Sequence, residues 1–225
     1  MKELSIIIPT LNEENGIKIV LERCSTLPIT KKIIIVDGGS KDRTVDIVKK
    51  FDAKIIIENK KGYGRAYRTG FKHAKGTFIV TMDGDGSYDP RDILKLFKII
   101  KNDINVFISG NRLKNLKRES MPLINNWGNK LISFVSNLLF DTNIKDSQSG
   151  MWLFRRSLLK NLRLKEDGMS FSSEIKLEAY RKAKFIECPI SYEPRLGKKS
   201  MNFLKQGYGI LKFLLKRALF DYPTF

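Results

Sequence analysis

Two carboxylates, Asp83 and Asp85, are the residues best placed to do chemistry, because one glycine separates them and the apolar run 78–82 directly precedes them. The run predicts a buried strand, which the glycines end. In an open α/β sheet, ligands bind at the carboxyl ends of the strands. A hard divalent cation is commonly held by one or two carboxylates together with the phosphates of a substrate. The pattern predicts a metal–phosphate site, although an isolated Asp-x-Asp is also typical of an ordinary Asp/Gly turn.

The composition of the 225-residue chain favours one domain with an anionic partner. At 42% apolar residues the chain can bury one substantial core. Lys and Arg number 42 against 24 Asp and Glu, a net charge of +18 that attracts a nucleotide, a nucleic acid or an acidic membrane surface. Two cysteines and one histidine are too few for a Cys/His metal centre, and a disulfide framework is not expected.

Alternating patterns along the chain predict how the two carboxylates are positioned. Apolar strand patterns alternate with helical patterns, which predicts βαβ units and a mainly parallel sheet. Each predicted strand ends in polar residues or glycine, so these ends share one edge of the sheet. The predicted strands cover residues 4–8, 33–36, 54–57, 78–82 and 106–109.

Two segments, 122–140 and 203–220, carry apolar residues at helical spacing, interrupted by Asn, Lys and Arg. They could lie along a bilayer with the apolar side in the acyl boundary and the lysines at acidic headgroups. They could equally cover the sheet, as amphipathic helices usually do. The chain carries no apolar stretch of about 20 residues and no apparent signal peptide, so we expect a cytoplasmic protein, peripheral at the inner face of the membrane.

Four short motifs stand in order at the predicted strand ends. They are Pro9-Thr10-Leu11-Asn12-Glu13, Val36-Asp37-Gly38-Gly39-Ser40, Gly62-Tyr63-Gly64 and Met82-Asp83-Gly84-Asp85. Together they resemble the motifs of the family 2 glycosyltransferases of the GT-A fold. Further motifs, at residues 110–112, 145–150 and 194–199, are similar to those of the dolichyl-phosphate mannosyltransferase branch. The resemblance covers roughly residues 3 to 201.

The resemblance implies an α/β protein with a GT-A fold, in which helices flank a mainly parallel Rossmann-like sheet and amphipathic helices follow at the C-terminal end. Residues 1–200 would form the glycosyltransferase domain. Its nucleotide-binding half would cover about residues 1–112 and its acceptor half about residues 113–200. Residues 201–225 would form an amphipathic helix that contacts either the membrane or the protein core.

For the donor, the resemblance implies that Asp83 and Asp85 hold Mg²⁺ or Mn²⁺ on the diphosphate of a nucleotide sugar. The metal would neutralise charge that builds on the leaving group. Asp85, Arg112 and Asp146 would be the catalytic residues. The nucleotide-binding residues would be Pro9, Leu11, Glu13, Val36, Asp37, Gly62, Arg65 and Asp83. GDP-mannose, UDP-glucose and UDP-N-acetylglucosamine all remain open as donors, and the Gln148-Ser149-Gly150 motif slightly favours UDP.

For the acceptor, the resemblance implies dolichyl or another polyprenyl phosphate, met at the cytoplasmic membrane surface. A phosphate monoester with a second pKa of about 6 is largely dianionic at neutral pH, so it needs no general base. Direct displacement by its oxygen would invert the anomeric centre. The residues that would contact the acceptor phosphate are Arg112, Ser149, Arg195, Lys198 and Lys199.

Two other functions are compatible with parts of the sequence. A transferase of the same fold that acts on a sugar hydroxyl would need a carboxylate base. Asp146, Glu174 and Glu178 are the candidates, although both glutamates are better interpreted as ordinary helix surface. A non-catalytic nucleic-acid-binding domain would explain the charge, but no strand interleaves aromatic and basic residues, so we expect no nucleic-acid partner.

Glycine spacing excludes two other phosphate-binding classes. Gly62-x-Gly64 has Tyr67 where a dinucleotide fingerprint needs its third glycine, and no Gly-x-x-x-x-Gly-Lys-Ser/Thr occurs. The chain is therefore neither a Rossmann dehydrogenase nor a P-loop enzyme.

Overall fold

A seven-stranded sheet lies at the centre of the computed structural model, which describes residues 3–100, 105–114, 116–117, 119–197 and 203–220. The strands lie in the order β3-β2-β1-β4-β6-β5-β7. β6 is antiparallel to its neighbours β4 and β5, and the other neighbouring pairs are parallel. The predicted mainly parallel sheet is thus confirmed. The strands are β1 (Leu4–Thr10), β2 (Lys31–Asp37), β3 (Ala53–Ile57), β4 (Phe78–Thr81), β5 (Val106–Asn111), β6 (Trp152–Arg155) and β7 (Lys184–Pro189).

Helices cover both faces of the sheet. One face packs against α1 and α4, and the other against α3 and α6, and each face buries its own apolar cluster. The central strands are apolar on both faces, which is the pattern expected when helices cover a parallel sheet on both sides. The helices are α1 (Ile17–Ser25), α2 (Thr44–Val48), α3 (Tyr63–His73), α4 (Asp92–Ile100), α5 (Leu123–Phe140), α6 (Phe171–Lys182) and α7 (Phe203–Phe220).

The strand directions bring distant parts of the chain to one edge. β1 and β2 pair in register up to Thr10 and Asp37, so the loops that follow them are neighbours. β4 lies beside β1 and leads into Asp83. β6 runs in the opposite direction, so its starting end, near Trp152, lies at this same edge. The chain before β6 therefore joins the loops that follow the parallel strands.

α5 and α7 form an additional layer that packs against α6 through a third apolar cluster, which includes Ile132, Leu177 and Leu214. Each of the two helices also leaves an apolar stripe open. None of the described helices has the length and hydropathy needed to cross a membrane. The exposed apolar side chains are Leu123, Ile124, Trp127, Leu131, Phe134 and Leu138 on α5, and Leu204, Tyr208, Leu215, Leu219 and Phe220 on α7.

The interpretation of Glu174 and Glu178 as ordinary helix surface is wrong. Both side chains are only 2% exposed, and both form ion pairs with Arg217 of α7. Glu174 also accepts backbone N–H groups of the segment before α6, and Glu178 accepts the N–H of Arg163. Since a charge is buried only when it is paired, the two glutamates fasten α7 to α6.

Candidate active site

Asp83 and Asp85 lie at the shared edge of the sheet but face different partners. Asp83 Oδ1 accepts hydrogen bonds from the Tyr63 and Tyr67 hydroxyls of α3, at 3.1 and 3.3 Å. Asp85 Oδ1 accepts from the backbone N–H and hydroxyl of Ser87, at 3.0 and 2.6 Å. The motif is therefore held from both sides, and each carboxylate keeps an oxygen that these donors do not occupy.

Two carboxyl groups at this edge have pKa values raised towards neutrality. Burial, and then the negative charge of Asp85, raise the pKa of Asp83 to about 6. Burial raises the pKa of Glu13 to about 7, with Asp85 adding to the effect and Arg195 opposing it. Like charges gathered in a partly buried site disfavour one another, so the edge has an excess of negative charge that a cation would relieve.

Arg195 follows β7 and reaches across to the carboxylate cluster, which consists of Glu13, Asp83 and Asp85. Its Nη2 lies 2.9 and 2.8 Å from the two carboxylate oxygens of Glu13, and its Nε lies 3.9 Å from Asp85 Oδ2. The next residue, Leu196, donates its backbone N–H to the Asp85 carbonyl at 2.8 Å. The chain after β7 is thereby fastened to Glu13 and to Asp85, which together with Asp83 forms the paired acids of the site. Lys198 and Lys199, which follow in the same motif, lie outside the described residues.

Arg112 and Asp146 form a buried ion pair at the same edge. Arg112 donates Nε to Asp146 Oδ2 at 2.9 Å and Nη2 to Oδ1 at 2.8 Å, and its backbone N–H also donates to Oδ2. Its guanidinium lies over the ring of Tyr192, 5.1 Å from the centroid. Burial alone would raise the pKa of Asp146, but Arg112, together with Lys176, holds that pKa well below its usual range. Asp146 is thus a permanently charged and weakly basic carboxylate.

The segment before β6 approaches Asp83 closely. A Cβ on Gly150 would lie 2.5 Å from the Tyr63 hydroxyl and 3.1 Å from Asp83 Oδ1, so only glycine fits there. Gly150 is held by the Tyr88 hydroxyl, which accepts its N–H, and by the Thr81 hydroxyl, which donates to its carbonyl. Ser149 beside it is fully buried, and its hydroxyl has no hydrogen-bond partner among the described residues.

The predicted nucleotide-binding residues have different surroundings. Pro9 lies near the end of β1, Leu11 and Glu13 lie in the loop that follows it, and Leu11 is exposed. Asp37 is buried, and its carboxylate accepts four hydrogen bonds, from Thr10, from the Gly39 N–H and from the N–H and hydroxyl of Ser40. Asp37 therefore holds the loops after β1 and β2 together.

Three further predicted residues are not part of the carboxylate cluster itself. Val36 directly precedes Asp37 in β2, and its side chain is fully buried and packs near Gly70. Gly62 has a φ of 141° and begins the turn into α3. Arg65, in the first turn of α3, pairs with Glu58 at 3.3 Å. The start of α3 still borders the edge, because Tyr63 contacts Asp83.

Sequence reasoning missed a group of aromatic and polar residues in the site. Tyr63 and Tyr67 are four residues apart on a predicted helix, and this spacing places both on one face. That signal was available, whereas the contact of Tyr192 with Arg112 comes only from the pairing of β5 with β7. The missed residues are Tyr63, Tyr67, Tyr88, Asn129, Lys176, Glu187 and Tyr192.

A mainly parallel sheet with paired acids after a central strand is the arrangement of a glycosyltransferase of the GT-A fold, and this fold prediction is confirmed by comparison with known proteins. The chain belongs to glycosyl transferase family 2, whose model matches residues 5–163.

Three relatives named as sugar transferases are 29–38% identical to this chain. The UDP-N-acetylglucosamine–dolichyl-phosphate N-acetylglucosaminyltransferase of Methanococcus voltae is 38% identical, over 72% of this chain and 72% of the relative. A dolichyl-phosphate hexose transferase of Haloferax volcanii is 29% identical over 96% of this chain and 94% of its own length. The low-salt glycan biosynthesis hexosyltransferase Agl6 of Haloferax volcanii is 32% identical over 99% of this chain, which spans 56% of that relative's length.

A solved structure supports the fold at low sequence identity. The glucosyl-3-phosphoglycerate synthase of Mycobacterium tuberculosis, crystallised with Mn²⁺, UDP and phosphoglyceric acid, superposes with a TM-score of 0.72. The match covers 96% of this chain and 78% of the synthase at 16% identity. The similarity therefore extends over nearly the whole chain.

Proposed function

We propose that this glycosyltransferase moves one sugar from a nucleotide sugar to dolichyl or another polyprenyl phosphate, with inversion at the anomeric carbon. The observation that carries the proposal is the buried pair of Arg112 and Asp146 beside the paired acids. A guanidinium has five N–H donors, and Asp146 uses two of them, so the others can bind a phosphate. An arginine held by a carboxylate keeps a fixed orientation, which suits planar phosphate recognition.

The state of Asp146 makes this residue unsuited to act as the base that a sugar hydroxyl acceptor would need. A hydroxyl must lose its proton to a base, and the effective base has a pKa near the working pH. The pKa of Asp146 is held far below that range by its contacts with Arg112 and Lys176. Glu174 and Glu178, the other carboxylates considered as bases, are bound to Arg217. A dianionic phosphate needs none of these groups as a base.

The donor set at the sheet edge fits a divalent cation, Mg²⁺ or Mn²⁺, shared with a diphosphate. Asp83 and Asp85 offer hard oxygen ligands, and the described residues contain no group of three or more acidic, His or Cys side chains placed to hold a metal alone. A hexacoordinate cation would take its other ligands from phosphate and water. When bound, it would neutralise charge developing on the leaving diphosphate.

The loops after β1 and β2 would hold the nucleoside. We assign Pro9, Leu11 and Glu13 to the base and ribose, with Asp37 fixing the two loops that carry them. The start of α3, with Gly62 and Arg65, would border the same pocket. A UDP-linked hexose or N-acetylhexosamine is the favoured donor, since the 38% identical relative is named for UDP-N-acetylglucosamine. GDP-mannose is the alternative to be tested.

On the acceptor side, Arg112, Arg195 and Ser149 would bind the polyprenyl phosphate. Arg195 lies between Glu13 and Asp85, and its Nε makes no hydrogen bond among the described residues. Lys198 and Lys199 follow it in the motif and would add positive charge. The phosphate oxygen would be positioned to attack the anomeric carbon from the face opposite the leaving diphosphate, which accounts for the inversion.

The experiment that tests this function is transfer of label from nucleotide sugar to lipid. Purified protein, Mg²⁺ or Mn²⁺ and a short polyprenyl phosphate are incubated with radiolabelled UDP-N-acetylglucosamine, UDP-glucose or GDP-mannose. The expected result is organic-phase label from one donor, released by mild acid as the free sugar. Label confined to water-soluble glycan, or no label with any donor, would contradict the proposal.

Metal binding should weaken as the pH falls through about 6, because protons compete with the metal for Asp83. Below that pH the apparent Kd for Mn²⁺ should rise about tenfold per pH unit. Titrations of Mn²⁺ followed by electron paramagnetic resonance measure it. Protonation of Glu13, whose pKa is raised to about 7, is the competing explanation for the pH dependence of Mn²⁺ binding. A Glu13→Gln variant that no longer shows the pH dependence would contradict the assignment to Asp83.

We propose that the open stripes of α5 and α7 face an acidic membrane surface. Leu131 and Phe134 are 53% and 63% exposed, and Trp127 carries Lys130 over its ring at 5.5 Å. Exposed lysines, including Lys212 on α7, border the apolar side chains. An apolar stripe flanked by lysines matches a helix that lies in the membrane interface.

The double variant Leu131→Glu with Phe134→Glu should bind vesicles that contain acidic lipids roughly 100-fold more weakly. Two partly exposed apolar side chains lose their burial in the membrane, and two negative charges approach the headgroups. Vesicle sedimentation measures the effect, with Ile57→Glu as control because Ile57 is 51% exposed on the distant strand β3. Unchanged vesicle binding, with a dimer of the wild type lost in the variant, would assign the face to a second copy instead.

A further inference from the structure

Asn129 connects the outer helix α5 to the ion pair in the site. It is only 4% exposed and lies on the inner side of α5. Its side-chain NH₂ group donates to Asp146 Oδ1 at 2.7 Å, and its carbonyl oxygen accepts from the Ser147 hydroxyl at 3.2 Å. Ser133, one turn further along α5, accepts the Ser147 N–H at 3.1 Å. α5 therefore holds the segment 146–147 through three hydrogen bonds.

The backbone of Asp146 is held independently of its side chain. Glu187 of β7 accepts the Asp146 N–H at 2.9 Å, and the ammonium of Lys176 donates to the Asp146 carbonyl. What remains to be fixed is the rotation of the carboxylate. Arg112 binds both oxygens through its guanidinium and Oδ2 also through its backbone N–H, so all three of these contacts come from one residue. Asn129 contributes the contact that fixes the carboxylate from outside the pair.

The same helix presents the exposed stripe on its other side. Trp127 and Leu131 flank Asn129 in sequence and are 69% and 53% exposed. A rotation or shift of α5 would therefore move the outer stripe and the Asn129 contact together. Seating of the stripe on a bilayer would hold α5, and through it the carboxylate of Asp146.

We propose that Asn129 is a positioning residue for sugar transfer: through Asp146 it fixes Arg112 where the acceptor phosphate binds, and it links that position to the seating of α5 on the membrane. The inference rests on the proposed function. It assigns no contact between Asn129 and the substrate.

The first test compares Asn129→Ala with the wild type. Loss of a hydrogen bond to a charged group should raise the KM for polyprenyl phosphate about 10- to 100-fold and leave the KM for the nucleotide sugar within about twofold. Asn137→Ala is the matched control. Asn137 lies on the same helix and makes hydrogen bonds to Thr142 and Ile144, but none to Asp146. Equal effects of the two variants on the acceptor KM would overturn the proposal.

The second test, Asn129→Asp, separates positioning from general loss of structure. The new carboxylate contacts Asp146 directly, and Asp146 in turn contacts Arg112, Lys176 and Glu187. The ionised carboxylate repels Asp146, whereas the protonated carboxyl group can donate a hydrogen bond to Asp146 as the amide did. Burial and the charge of Asp146 raise the pKa of the introduced group, so it becomes protonated as the pH falls. Its activity, as a fraction of wild type in the same buffer, should therefore rise about tenfold from about pH 7.5 to about pH 5.5. The Asn129→Ala fraction should stay constant, and Lys176, with a pKa lowered to about 8 by burial, stays largely charged.

Thermal unfolding of the ligand-free variants gives a readout that does not depend on the reaction. In the Asn129→Asp variant, the pKa of the introduced carboxyl group is higher in the folded protein than in the unfolded chain. The contribution of this group to stability is therefore fully present below its pKa in the unfolded chain. That contribution is lost as the pH rises through its pKa in the folded protein. The Tm of this variant should thus rise relative to that of Asn129→Ala as the pH falls. A wild type that transfers no sugar to polyprenyl phosphate would refute the proposed function, while the Tm difference would still test the Asn129–Asp146 contact by itself. A flat Tm difference would overturn the inference about Asn129 alone.

Discussion

Asp85→Asn is expected to lower the rate of sugar transfer roughly 1000-fold, because the variant loses one of the two charges that would hold the cation on the diphosphate. The substitution keeps the local structure. An asparagine carbonyl oxygen can still accept the Ser87 N–H and hydroxyl hydrogen bonds that Asp85 Oδ1 accepts. Single-turnover transfer at saturating donor and acceptor measures the effect, and the loss should persist at high Mn²⁺ concentration.

Stability provides the control for this variant. Asp85 is one of the charges that raise the pKa of Asp83, so two like charges oppose each other in the ligand-free protein. Removing one of them should leave the Tm equal to or higher than that of the wild type, whereas a structural residue would lower it. Ser87→Ala, which removes a hydrogen bond but no charge, should cost only a small part of the activity. Near-normal turnover by Asp85→Asn would refute the metal assignment.

The predicted strands and their polar ends were confirmed because their signals are local. Continuous apolar runs such as 33–36 are typical of strands that helices cover on both faces, and glycine or aspartate ends them. The structure extends this strand to Lys31–Asp37, which is a change of bounds only. Asp83 and Asp85 at the edge follow from one strand and its two glycines. The positions of the paired acids were therefore predictable from residues within a few positions of one another.

The remaining parts of the site depend on pairings between distant residues. β6 runs antiparallel between β4 and β5, and only this order brings Asp146 to Arg112. In the sequence Asn129 is one polar interruption of an amphipathic helix, and its contact with Asp146 depends on where α5 packs. β7 begins and ends with polar or ring-constrained residues and has no long apolar run. No local pattern specifies these contacts.

Glu174 and Glu178 illustrate why the prediction for them failed. Charges four residues apart on a helix usually mark a solvated face. Here the helix is covered by α7, and the compensating charge, Arg217, lies 43 and 39 residues further along the chain. Burial of a charge depends on its partner, and the partner is supplied by tertiary structure.

Arg112→Lys is the second substitution with a large expected effect, roughly 100-fold or more on transfer to polyprenyl phosphate. The guanidinium binds both oxygens of Asp146 and still has N–H groups for the acceptor phosphate. An ammonium is a single point charge on a flexible stem, so it can pair with Asp146 or with the phosphate in good geometry, but not with both. The loss should therefore appear mainly in the KM for the acceptor.

Lysine is the informative replacement, because Arg112→Ala would leave the buried charge of Asp146 without the guanidinium that binds both its oxygens, at a cost of about 3–5 kcal/mol in stability. Arg91→Lys is the matched control. Arg91 also binds both oxygens of one aspartate, Asp89, but it is exposed and makes no contact with the paired acids. If Arg112 only stabilises the fold, Arg112→Lys and Arg91→Lys will differ in Tm, but both will have the wild-type KM for polyprenyl phosphate. If Arg112 binds the acceptor, its KM will rise even under conditions in which both variants are fully folded.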